Sequence, residues 1–294
     1  MIFRNIKSVF QKIWWFGPYL PMSQLLLAVF GRYLPVGITQ KIVKQRNKKI
    51  QGILRNFIDD NIDIKILTEP ACDDTPTKNI IWVCWLQGEQ KMTELSKICF
   101  ESVKRHSGEA DVIFLTEKNL EQYVKLPPII TQRYNEGNIK PAHYADIIRI
   151  NILAQQGGLW LDATMLATKP IPEEIFESEF WTVKIPEFGN YISRCRWSVF
   201  ALYAKKNNTL FETLARIFTV YFEKYPIMID YFMFDHLINI LYEDFVTIRE
   251  MIDKVPPNNK DVYKLKSLKI IDNEHVSLDS VKNDTFLFKL SNKH

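Results

Sequence analysis

Apolar and polar positions fall in blocks along the chain, and the period of each block predicts its element. Ile80-Ile81-Trp82-Val83-Cys84-Trp85 is a short apolar run that stops at Gln87-Gly88, the pattern of a buried strand. From about Thr93 to Arg105 apolar residues return at helical spacing. Asp111-Val112-Ile113-Phe114-Leu115-Thr116 reads as a second strand, closed by Glu117-Lys118-Asn119, and a helix with Ile129, Ile130 and Tyr134 runs to Gly137. Pro141 to Gln155 predicts another helix, stopped at Gly157-Gly158. Leu159-Trp160-Leu161-Asp162-Ala163-Thr164 is then a short strand with a polar end. Strands and helices in this order predict an α/β fold with a mostly parallel sheet. Ligands of such sheets lie beyond the carboxyl ends of the strands, so Gln87-Gly88 and Thr116-Glu117 fall on the expected binding edge.

The pattern changes upstream. Residues 36 to 58 predict one basic helix with Ile42, Val43, Ile50, Leu54 and Phe57 on its apolar side. Residues 68 to 78 are polar, contain Pro70 and Pro76, and read as a linker. The division is thus a basic helical segment over residues 1–75 and an α/β domain over 76–294. The apolar runs Ile13 to Phe16 and Leu25 to Phe30 break at Gly17-Pro18 and Gly31-Arg32, far short of the roughly 20 apolar residues of a membrane span. No small-residue cleavage site follows them.

Charge sharpens this division. The chain of 294 residues has a net charge of only +4, too modest for a nucleic-acid binder, but no Asp or Glu occurs before Asp59. The same stretch holds Arg4, Lys7, Lys12, Arg32, Lys41, Lys44, Arg46, Lys48, Lys49 and Arg55. Cationic, aromatic and amphipathic, it has the composition of a segment lying on an anionic membrane surface. The other reading is a helical pair packed on the catalytic domain with solvated charges. The four cysteines, Cys72, Cys84, Cys99 and Cys195, form no CxxC pair, which predicts reduced thiols in a cytoplasmic protein rather than a disulfide or zinc framework.

Chemistry concentrates between residues 141 and 164. Asp146 and Arg149 share a helix face. They form either a surface ion pair or, because Ile147, Ile148, Ile150, Ile152 and Leu153 surround them, a buried pair facing a ligand. Asp162 ends an apolar strand. It either caps the next turn or serves a cation bound to diphosphate. Downstream, Tyr231-Phe232-Met233-Phe234-Asp235-His236 is an aromatic run ending in two titratable groups, with Asp230 at the start of the same expected helix. It reads as an aromatic core helix or as part of a site, and Asp235 and His236 would point in different directions.

In combination these residues resemble a known pattern. Ala142-x-x-x-Asp146-x-x-Arg149 followed by Gly157-Gly158-Leu159-Trp160-Leu161-Asp162-Ala163-Thr164 is similar to the core of the DXD sugar transferases, among them glycosyltransferase family 32 and the large clostridial glucosylating toxins. The ending Asp-Ala-Thr is most similar to bacterial capsular polysaccharide synthesis proteins. Ile80 to Trp85 with Gln87-Gly88, and Phe288-Lys289-Leu290-Ser291, extend the resemblance from about residue 78 to the end. It implies a GT-A fold and retaining transfer of a hexose from a nucleoside-diphosphate sugar, UDP above all. The implied acceptor is a lipid-diphosphate-linked glycan at the inner face of the cell membrane. It also implies that Trp85, Gln87 and Gly158 line the donor, and that Asp146 and Arg149 hold its sugar. Asp162 with Thr164 would meet Mn²⁺ or Mg²⁺, Lys289 or Ser291 would reach the diphosphate, and Asp235 and His236 would face the acceptor. Thr164 stands where the pattern has a second Asp, which puts metal use in doubt. Two rival functions remain at this point: a metal-dependent nucleotidyltransferase, and a non-catalytic glycan-binding protein at the membrane.

Overall fold

The computed structural model describes residues 6–63, 79–186, 191–267 and 284–291. The expected linker at 68–78, and with it the boundary at 75/76, lies outside the described residues. Helices α1 (Ile6–Phe16), α2 (Tyr19–Phe30) and α3 (Val36–Asn61) precede β1 (Ile80–Cys84). There follow α4 (Glu94–His106), β2 (Asp111–Leu115), the short α5 (Leu120–Tyr123), α6 (Pro128–Asn135) and α7 (Pro141–Gln155). Next come β3 (Gly158–Leu161), β4 (Met165–Ala167), α8 (Glu174–Glu177), β5 (Phe180–Thr182) and β6 (Ala201–Ala204). The last elements are α9 (Thr209–Lys224), α10 (Met233–Asp244), α11 (Val246–Asp253) and β7 (Leu287–Lys289).

The central sheet has the order β2-β1-β3-β6-β5. β1 runs parallel to β2 and β3, while β6 is antiparallel to both β3 and β5. Four of the five strands therefore point one way, and helices flank the sheet, a GT-A-like α/β architecture. Trp82 lies opposite Trp160 in the register, and Cys84 opposite Leu115. The carboxyl ends of β1, β2 and β3 thus meet along one edge. A separate antiparallel pair, β4 with β7, sets Met165 opposite Lys289.

Local chemistry explains the boundaries. Thr93 caps α4 by accepting a hydrogen bond from the Ser96 N–H at 3.2 Å, and Lys104, Arg105 and His106 sit in its last turn, where the helix dipole favours cations. Asn208 caps α9 in the same way through the Leu210 N–H at 3.1 Å. Helix α7 starts with Pro141 in its first turn and ends before Gly157 at φ 70. Its side chains from Ile147 to Ala154 are all buried, as expected of a helix apolar on every side. Tyr231 and Phe232 form a turn rather than helix. α10 begins at Met233, because Asp230 accepts the Phe232 N–H at 3.1 Å in a local turn. Cys84, Cys99 and Cys195 form no disulfide, and burial pushes the thiols of Cys84 and Cys99 up to about 12, which makes them inert.

The basic N-terminal segment is joined to the core of the sheet. Ile50, Leu54, Phe57 and Ile58 of α3, together with Phe16 and Leu20, belong to the same buried cluster as the sheet. Phe57 packs edge-on against Tyr221 at 5.5 Å, and Trp15 does so against Tyr225 at 5.4 Å. Arg55 binds Glu243 at 2.6 Å and Asp244 at 3.1 Å, and Arg46 pairs with the buried Asp230. Two of the N-terminal cations are therefore matched by carboxylates of the following domain. No described helix is long and apolar enough to cross a membrane.

Because Leu54 is fully buried in that interface, Leu54→Ala should cost about 2–5 kcal/mol in denaturant unfolding. Removing residues 1–58 should abolish the cooperative transition altogether. A truncated protein that still unfolds cooperatively would show α3 to be dispensable.

Candidate active site

The carboxyl edge of the sheet gathers charge from four distant parts of the chain. Asp146 and Arg149 come from α7, Asp162 from the end of β3, Asp235 from α10 and Lys289 from β7. Arg149, only 4% exposed, is the common partner. Its Nη2 donates to Asp146 Oδ1 at 2.9 Å and stands 3.3 Å from Asp162 Oδ1. The guanidinium lies 5.1 Å from the Trp160 ring and 5.8 Å from that of Phe234.

Asp162 is fixed from both sides. Trp160, two residues earlier on the same face of β3, donates its indole N–H to Asp162 Oδ1 at 3.0 Å. Lys289 Nζ donates to Oδ2 at 2.6 Å. The lysine is held by its pairing opposite Met165 and by the Leu290 N–H bonded to the Thr164 carbonyl at 3.0 Å. Asp235 accepts the Trp197 indole N–H at 3.0 Å.

Electrostatics sort the three carboxylates. Burial drives the Asp146 carboxyl from its ordinary 3.8 to about 7, opposed by Arg149 and reinforced by Asp162 and Asp235. Burial also raises Asp235 above the usual range, against the pull of Trp197 and His236. Asp162 moves the other way. Burial opposes its charge, but Lys289 and Arg149 outweigh that and hold it below the usual range. Asp162 is thus a fixed anion, whereas Asp146 exchanges its proton near neutrality.

The site also has donors to spare. Arg149 Nε and Nη1 and Trp85 Nε1 are buried with no hydrogen-bond partner among the described residues. Such groups cost about 1–3 kcal/mol each unless a ligand supplies an acceptor. Trp85 follows β1 at the same edge, half-buried, and Gln87 is exposed next to it. Ser291 lies two residues beyond Lys289, and Thr164 two beyond Asp162, both half-buried.

A metal held by the protein alone does not fit this donor set. Among the described residues no cluster of three His, Cys, Asp or Glu side chains is suited to one. Asp162 accepts from Trp160 and Lys289 and faces Arg149, and Thr164 adds only a hydroxyl, a poorer ligand than a carboxylate.

Two expected residues lie elsewhere. Gly158 begins β3, roughly 13 Å along the strand from Asp162. A Cβ there would fall 2.7 Å from Trp82 Nε1 and 2.8 Å from the Ile80 carbonyl, so close packing at φ 97 requires the glycine. His236 is fully buried and faces α3, with Nδ1 3.5 Å from Gln51 Nε2 and Nε2 3.7 Å from Asp230. It shows no hydrogen bond or ion pair to Asp146, Asp162 or Asp235 and acts on Asp235 only through its charge, because adjacent helical positions diverge by about 100°. Trp160 and Trp197 were not anticipated. The alternation of β3 could have found the first, whereas nothing local marks the second. A cleft of ≈ 730 Å³ lined by Ile175, Trp181, Met251 and Phe286 shares no residue with the cluster.

The raised Asp146 carboxyl yields a pH signature. The folded state keeps this proton between its ordinary 3.8 and about 7, where the unfolded chain has lost it. The resulting stabilisation is complete below the lower value and is lost as pH rises through the upper one. Over that window the wild type should lose stability relative to Asp146→Asn, measured by thermal unfolding of both proteins. Parallel pH profiles would contradict the assignment.

Comparison with known proteins supplies the family. Curated proteins give no match to the chain. Among solved structures, the chain described as "PaToxG Glycosyltransferase" aligns with a TM-score of 0.41 and 14% identity, covering 71% of this chain and 83% of that one. The family described as capsular polysaccharide synthesis protein matches residues 32–294, a span that takes in α3 and every member of the charged cluster. The chain belongs to the capsular polysaccharide synthesis protein family.

Proposed function

We propose that the protein is a glycosyltransferase that moves a hexose from a nucleoside-diphosphate sugar, with UDP the favoured nucleotide, to a hydroxyl of a glycan acceptor. The observation that carries this reading is the buried Arg149, anchored by Asp146 and Asp162 and left with two N–H groups unpartnered. A phosphate or sugar oxygen satisfies such a fork. Trp85 offers its own unpartnered N–H at the end of β1, where a nucleotide would lie.

Sugar transfer from such a donor leaves a nucleoside diphosphate whose charge must be stabilised as it departs. Arg149 and Lys289 are the cations at hand, and Asp162 orients both. In this reading Lys289 carries the load that a divalent ion bears where two carboxylates are available, so turnover should survive a chelator. Retention at the anomeric carbon follows from the motif resemblance alone. A nucleotidyltransferase would need paired carboxylates for two metal ions, and Thr164 stands where the second would be.

The acceptor in this reading is lipid-linked, and the protein works at the cytoplasmic face of the cell membrane. Phe10 and Trp14 of α1, Met22 and Leu25 of α2, and Tyr33 beyond it are exposed, Trp14 to 82%. Exposed apolar and aromatic side chains on a segment rich in cations suit a lipid headgroup layer.

The test is hydrolysis and transfer of UDP-hexoses by the purified protein with and without chelator. Asp162→Asn and Lys289→Ala should each lower turnover by about 10²- to 10³-fold while the fold persists. Full turnover in a folded Asp162→Asn protein would sink the assignment, and a strict need for Mn²⁺ or Mg²⁺ would sink the role given to Lys289.

A further inference from the structure

The charged contacts between α3 and α10 differ in kind at the two ends. Arg55 meets Glu243 and Asp244 at the far end of α10, where both carboxylates are exposed, and such pairs are worth little. Arg46 meets Asp230 just before the start of α10, and there the two side chains are 11% and 5% exposed. Between these contacts Gln51 Nε2 lies 3.5 Å from His236 Nδ1. The two helices therefore run side by side in the same direction, with the buried pair at the beginning of α10.

That beginning has no cap of its own. Phe232 stands at the N-cap position, and no side chain caps the helix there. The unpaired N–H groups of a first turn leave it prone to fray. Asp230 supplies a substitute. Its Oδ1 accepts the Phe232 N–H at 3.1 Å, which closes the turn leading into α10 and sets an anion beside the helix N-terminus. Burial opposes that charge, but His236 and Arg46 hold the Asp230 carboxyl well below the usual range. A carboxylate only 4% exposed needs a partner to stay charged, and Arg46 is its permanently charged one.

The first turn is also the part of α10 that meets the charged cluster. Asp235 accepts the Trp197 indole N–H at 3.0 Å, and the Phe234 ring lies 5.8 Å from the Arg149 guanidinium. One turn further on, Arg196 Nη2 donates to Asn239 Oδ1 at 2.6 Å, and the Arg196 guanidinium stacks 4.0 Å from the Tyr242 ring. The loop that carries Trp197 is thus fixed to the body of α10 independently of Asp235. Loosening of the first turn alone therefore moves Asp235 against a stationary Trp197.

We infer that Arg46 is a positioning residue of the transfer site: by fixing Asp230 it holds the first turn of α10, and so keeps Asp235 against Trp197 and Phe234 beside Arg149. Its effect on turnover rests on the transferase reading, whereas the mechanical link rests on these contacts alone. The N-terminal segment is then a working part of the site, although Arg46 makes no hydrogen bond or ion pair to Asp146, Asp162 or Asp235 among the described residues.

Nuclear magnetic resonance of the full chain with nitrogen-15-labelled tryptophan tests the link without any turnover. Arg46→Ala should move the Trp197 indole signal, assigned by Trp197→Phe, upfield as its hydrogen bond loosens. The signal of Trp82, bound to the Gly157 carbonyl at 2.8 Å, should stay in place. In sugar transfer, kcat should fall by about tenfold to a hundredfold while the KM of the donor stays within about twofold, because a misplaced group costs rate rather than donor binding. Arg46→Lys should recover most of both. Leu54→Ala, which weakens the same interface through its core, should alter neither readout at a temperature where it is folded. If Arg46→Ala does not fold, Arg46→Met combined with Asp230→Asn keeps an acceptor for the Phe232 N–H, leaves no buried charge unpaired, and should show the same shift. An unmoved Trp197 signal in the folded variants would overturn the inference, as would a loss of kcat that Leu54→Ala matches. Failure of the wild type to turn over any nucleotide sugar would strike the transferase reading alone, because the Trp197 signal is read without substrate.

Discussion

The buried Arg149 guanidinium is the constraint on which the site depends. A permanent charge inside α7 must be compensated, and the carboxylates that pair with it among the described residues are Asp146 and Asp162. Compensation fixes the distance between α7 and β3. It also fixes the orientation of Asp162, whose second oxygen then holds Lys289. Trp160 completes the arrangement by stacking near the guanidinium while donating to the same carboxylate. Removing any one member leaves another charge exposed to a low-dielectric surrounding, so the group behaves as one unit rather than as separable contacts.

Much of this was legible in the sequence. The apolar runs of β1, β2 and β3 and the all-round apolar helix α7 determined the sheet edge, and with it the neighbourhood of Asp146, Arg149 and Asp162. Periodicity reports which face is buried but not what lies against it. That is why Asp235 and His236, expected to diverge on one helix, could both be placed at the acceptor until α3 was seen packed behind His236. Gly158 misled for a related reason: a glycine beside a motif has the same letter whether a ligand or Trp82 requires it. Trp197 lies in the loop before β6, where no period exists to read.

The N-terminal helices show how composition can be right about charge and incomplete about structure. A stretch without acids does lack internal partners, but α3 finds them in Asp230, Glu243 and Asp244. The same helix presents Ile50, Leu54 and Phe57 to the core on the face that carries these contacts inward. The family match, beginning at residue 32, includes α3 but leaves out α1 and α2, which keep their exposed aromatic surface. One segment thus serves as brace through α3 and as outward-facing surface through α1 and α2.

The strand pair β4–β7 gives the site a dependence on time. Lys289 meets Asp162 across 127 residues of sequence. Ribosomes add about 5–20 residues each second, so Asp162 waits roughly 6–25 s for its lysine during synthesis. In that interval the sheet β2-β1-β3 can already form from residues in hand, whereas the carboxylate at its edge has only Arg149 and Trp160 for company. The nascent domain can therefore be folded in outline yet chemically idle, with its strongest cationic contact added last.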